Sequence, residues 1–201
     1  MEALLPLLFA AVVGVGHAFE ADHLLAVGNI ITRRDSVMLA LKDGLFWGLG
    51  HTTTLVLVGG VVLLSRVTFL TSGYFEAFVG FVLVVMGLSR LLKKQPLPKA
   101  GASRYQHSMA YSVGLLHGLA GSGALVLLVL SELQDPYLGV TYLLLFGIGS
   151  MLGMLVAAWL FSVPYTRRMK LNGTLRFGAV VVSSLVCIVY GGWMMYQNLL
   201  L

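Results

Sequence analysis

Six largely apolar stretches, each about 18 to 25 residues long, occupy nearly all of this chain, and that length is what a helix needs to cross a bilayer. They fall at residues 4–27, 44–64, 75–92, 108–130, 137–161 and 175–196. With only 10% charged residues and 58% apolar ones in a chain of 201, no stretch is left over for a soluble domain. Strand-length alternating runs of the kind that build a transmembrane barrel are absent, so the expected class is an all-α polytopic membrane protein of six helices. The N-terminal run lacks the positive flank and the small-residue cleavage site of a secretory signal, so we read it as the first span.

Charges between the stretches supply the orientation. Arg33, Arg34 and Lys42 follow the first stretch; Arg90, Lys93, Lys94, Lys99 and Arg104 surround the third connection; Arg167, Arg168, Lys170 and Arg176 surround the fifth. Twelve of the 13 basic residues thus fall on one side, and only Arg66 falls on the other. By the positive-inside rule that side is the cytoplasm, which puts both termini on the non-cytoplasmic face of a cell inner membrane. The same placement explains the net charge of +5 as a topology signal, so no nucleic-acid partner is expected.

The third connection carries Pro96, Pro98 and Gly101 and divides the chain in two. Residues 1–94 form a first group of three helices, 95–106 a cytoplasmic linker, and 107–201 a second group. Offset by 100, GVGHAFEADHLL at 14–25 lies against GLLHGLAGSGAL at 114–125, pairing His17 with His117. Offset by 99, WGLGH at 47–51 lies against FGIGS at 146–150, pairing His51 with Ser150. Repeats with an odd number of spans must be inverted in the membrane, an arrangement that secondary transporters use.

Polar residues inside the apolar stretches are the candidate site. His17, Asp22 and His23 form H-x4-D-H in the first stretch, where a carboxylate costs several kcal/mol unless protein, water or a cation meets it. On a straight helix His17 and His23 are about 240° apart, so either the helix is irregular near Gly14 and Gly16 or ligands approach from two sides. His51, in GLGHTTTL, lies about 12 Å along its helix from Asp43, and His117 about 14 Å from Ser108, depths at which both reach the first-stretch cluster. Glu20, Thr52, Ser122 and Ser150 are candidate supporting groups. A buried His–Asp network that only fixes packing would use the same residues, and that alternative stays open.

Imidazole nitrogen with one or two carboxylates suits borderline divalent ions rather than hard ones, and titrating histidines offer a route to proton coupling. The motifs carry a resemblance as well. GHAFEADHLLAV resembles the first signature of the nickel/cobalt transporter (NicO) superfamily, R-H-A-x-D-A-D-H-I, with Gly16 in place of its arginine and Glu20 in place of its first aspartate. FWGLGHTTTLVLV resembles the L-G-H-S-T-V-V signature, and LLHGLAGSGAL resembles the urease-accessory, UreH-like branch; two acidic signatures of high-affinity nickel permeases are missing. The resemblance implies metal handling at His17, Asp22, His23 and His51.

The functional expectation is therefore a secondary transporter of a divalent transition metal, nickel or cobalt first, with iron, zinc or manganese also accommodated. A small-solute or anion transporter and a membrane accessory factor for metalloenzyme assembly are the alternatives. Without a P-loop or a nucleophile constellation, neither an intrinsic ATPase nor another enzyme activity is expected. The lone Cys187 excludes an intrachain disulfide, and no permanently bound cofactor is expected, the metal being cargo. Glycine-rich contact faces suggest a homodimer.

Overall fold

The computed structural model describes residues 4–31, 34, 36–65, 73–92, 103–118, 135–163 and 173–200, and every element among them is helical. In chain order these are α1 (Leu4–His17), α2 (Ala21–Ile31), α3 (Val37–Ser65), α4 (Tyr74–Leu92), α5 (Ser103–His117), α6 (Pro136–Ser162) and α7 (Gly173–Leu200). A chain this apolar has little choice, because hydrocarbon offers backbone N–H and C=O groups no partners outside a helix or a closed barrel. Among the described residues four helices are long and apolar enough to cross a membrane, and α1 with α2 makes a fifth if the bent pair counts as one span. The protein is thus an all-α, multi-pass membrane protein.

The first predicted stretch is not one rod. After His17 the amide of Phe19 bonds to the Gly16 carbonyl and that of Glu20 to the His17 carbonyl, closing a tighter turn before Leu24 resumes the helical pattern on Glu20. The axes of α1 and α2 consequently differ by 57°. Irregularity was expected ahead of His17, at Gly14 and Gly16; it falls at residues 18–20 instead. Gly14 has a different task, since a Cβ there would overlap the carbonyl of Phe146.

The fourth predicted stretch is described as far as Gly118, and the rest of it lies outside the described residues. Helix α5 begins at Ser103, inside the segment read as a linker, and covers 15 residues. At the other side of the gap α6 starts cleanly: Pro136 takes the first turn, and the Asp135 carboxylate accepts from the Tyr137 amide at 2.9 Å.

Packing follows small residues. Helices α3 and α6 run antiparallel, Gly44 against Ala158, Gly48 against Met151 and Gly59 against Leu143. Helices α4 and α7 do the same, Gly73 against Asn198, Gly80 against Gly191 and Gly87 against Ser184. By contrast α5 runs parallel to α3, Trp47 lying against Gly114 and Thr54 against Gly118. Close backbone approach of this kind is how helices associate where lipid removes the hydrophobic drive. Large apolar side chains such as Phe78, Phe81, Val85, Val182, Val189 and Trp193 point outward, as a lipid-facing surface requires.

Candidate metal centre

The break after α1 brings the H-x4-D-H residues together. His17 ends α1, Asp22 and His23 open α2, and the turn between them folds the two imidazoles to a centroid separation of 4.3 Å, edge to face. The 240° rotation that would keep them apart on a straight helix is removed by the kink. From α3, His51 comes to 5.3 Å from the His17 ring and 5.1 Å from the His23 ring. His117, the last residue of α5, stands 5.8 Å from His23.

All four histidines are buried, and their hydrogen bonding is incomplete in a specific way. The Nδ1 of His23 lies 2.9 Å from Asp22 Oδ1, and a carboxylate can only accept, so in the neutral ring the proton sits on Nδ1 and Nε2 keeps a lone pair. His117 Nδ1 likewise donates to the Val113 carbonyl at 3.0 Å. The Nε2 atoms of His23 and His117, and both nitrogens of His51, have no partner among the described residues. His17 Nδ1 approaches Glu20 Oε1 at 2.9 Å, without the angles of a hydrogen bond. Buried polar atoms left unpaired cost free energy, so a cluster of them in one place calls for a ligand that satisfies them together.

One nitrogen from each of His17, His23 and His51 falls within 4.8 Å of the others. A tetrahedral ion with metal–nitrogen bonds of about 2.1 Å holds its donors about 3.4 Å apart, so modest side-chain rotation closes the set. His23 with its Nδ1–H on Asp22 is the arrangement that orients a metal-ligating imidazole and raises its basicity. A second set, Glu20, Asp22 and His23, meets the same distance limit.

Trp47 walls the cluster. One helical turn before His51 on α3, its ring stacks on that imidazole at 5.4 Å with an interplanar angle of 7° and lies 5.1 Å from His23 and 5.6 Å from His117. Phe146 of α6 adds an apolar face 5.4 Å from His17. The sequence reading missed Trp47, although its spacing from His51 places both on one helix face.

The supporting candidates divide. Glu20 reaches the cluster. Thr52 donates to the Gly147 carbonyl at 3.2 Å and Ser150 to the Gly14 carbonyl at 3.1 Å, so both hydroxyls bind helix backbones. Ser122 lies outside the described residues. A second buried polar group was not foreseen: Asp43 binds Arg34 through both carboxylate oxygens, at 2.5 and 2.8 Å, and meets His107 Nδ1 at 2.6 Å.

No protein-family model matches the chain, and no solved structure does. Among curated proteins it is 30% identical over 205 residues to the urease accessory protein UreH of Bacillus sp. (strain TB-90), across 92% of this chain and 88% of that protein.

Proposed function

Since the chain belongs to the UreH/NicO-like family, we propose that it is a membrane accessory factor for metalloenzyme assembly, one that binds a divalent transition-metal ion in the histidine cluster and moves it across the bilayer. The observation that carries this reading is the convergence of His17, His23 and His51, buried and with unpaired nitrogens, beside the Asp22 carboxylate. Free transport was the first expectation from sequence; the relative's name moves the weight to an accessory role, and the site keeps metal handling at its centre.

Three imidazoles and one carboxylate suit borderline divalent ions such as nickel, cobalt, zinc or iron, hard ions preferring mostly oxygen, and the family resemblance puts nickel or cobalt first. An anion is disfavoured there, because the described charged side chains at the cluster, Glu20 and Asp22, are acidic. Proton coupling through the histidines and a homodimeric assembly belong to the same reading.

Six spans in two inverted groups fit the helix directions. Helix α6 opposes α3 while α5 runs with it, and α7 opposes α4, which is the order an alternating six-pass chain produces. The close contacts also repeat. A Cβ at Gly14 would meet the Phe146 carbonyl, and one at Gly114 would meet that of Trp47, matching at the offsets of 100 and 99 read from the sequence. With both termini on the non-cytoplasmic face of an inner membrane, the basic connections stay inside.

Proteoliposomes with an internal metal-sensitive dye test the function. Saturable Ni2+ or Co2+ flux is expected from the intact protein, and its loss in His51→Ala at equal incorporation. Flux in that variant indistinguishable from the intact protein would contradict the assignment.

A further inference from the structure

The three-histidine set is sealed, and a hydrated divalent ion has to reach it. His23 and His51 have no exposed surface, and Trp47 and Phe146 close two sides. Neutral imidazoles offset none of the ion's charge while it sheds water, so moving it directly from water into that set is costly. Among the described residues the cluster opens outward at Glu20: its side chain, in the turn between α1 and α2, is 44% exposed, and its neighbours Phe19 and Ala21 are exposed with it. A carboxylate at this depth has to face water rather than lipid.

We propose, building on the metal reading above, that Glu20 is the receiving ligand: an ion is held first by Glu20, Asp22 and His23, then passes to His17, His23 and His51. Two independent features support the order. Glu20 touches members of both sets, sharing one with Asp22 and His23 and reaching His17 of the other at 2.9 Å. His23 belongs to both sets, so the ion stays at one residue while the others exchange. The charges balance as well, because two carboxylates neutralise a divalent ion during dehydration. The second half of the chain carries Ala120 and Ser122 at the positions matching Glu20 and Asp22, so this receiving step belongs to the first half alone.

Stopped-flow mixing of the purified full chain with Co2+, followed by its ligand-field absorption, tests the order of events. Glu20→Gln should slow both association and dissociation at least tenfold while the final spectrum keeps the energies of an imidazole-rich site. Glu20→Asp, which retains the carboxylate, should restore most of the rate. Unchanged rates in Glu20→Gln would overturn the proposal, and so would an altered final spectrum, which would make Glu20 part of the resting site. A wild-type chain that binds no Co2+ would remove the metal reading itself, a failure distinct from either.

Discussion

Two buried polar clusters in this bundle use the same ingredients, imidazole and carboxylate, to opposite ends. In the first, Asp43 accepts from Arg34 on both oxygens and from His107, so the central carboxylate is fully engaged and links the α2–α3 connection, α3 and α5. In the second, His17, His23, His51 and His117 leave nitrogens unpaired behind Trp47. Burial alone therefore does not separate the two clusters; unfilled coordination capacity does. The Asp43 cluster is paired throughout, and the histidine cluster keeps the lone pairs that the proposed metal ion would use.

Asp43→Asn should separate the two most strongly. It leaves Arg34 buried without its counter-charge, a change that costs about 3–5 kcal/mol, read as a large drop in unfolding temperature in detergent. Protein that remains folded should give the wild-type Co2+ spectrum. A damaged metal site with intact stability would reverse the roles assigned to the two clusters.

Asp22→Asn is the counterpart in the histidine cluster. It keeps the shape beside His23 while removing the carboxylate that orients the ring, and metal affinity should fall about 10–100-fold by calorimetric titration. Stability should change far less than in Asp43→Asn. Equal destabilisation by both would mean that the second cluster is only a packing network.

Acidification gives a smaller and graded effect. Protons compete with metal for imidazole lone pairs, so affinity is full at high pH and falls as the pH drops. Equilibrium binding measured from about pH 8 downward should decline as protons displace the metal, and a profile that stays flat down to the carboxylate range would point to oxygen ligands instead.

The least effect is expected from the hydroxyls that bind helix backbones. Thr52→Val and Ser150→Ala each remove one packing hydrogen bond, worth about 1 kcal/mol, and should leave metal affinity unaltered in the same titration. A tenfold loss of affinity in either would place that hydroxyl at the ion.

The difference between the clusters also explains what was legible beforehand. His17, Asp22 and His23 stood out because apolar sequence around them makes polarity expensive, and the match of His17 to His117 added a residue 100 positions away. Arg34 was read only as one of the basic residues of its connection, and no local pattern marked His107. Their joint attachment to Asp43 links positions 9 and 64 apart, a tertiary pairing that no local pattern encodes. The position of the kink was hidden for a similar reason. Glycines 14 and 16 advertised a distortion, yet Gly14 serves the crossing with α6, and the chain bends at residues 18–20, where the amides of Phe19 and Glu20 bond three residues back and His17 is carried onto His23.

The most direct test is metal-edge X-ray absorption on the purified protein loaded with one equivalent of Ni2+ or Co2+. The account predicts a first shell rich in nitrogen with the outer-shell scattering of at least three imidazole rings, reduced by one ring in His51→Ala. A shell of oxygen with at most one imidazole, unchanged by that substitution, would contradict it.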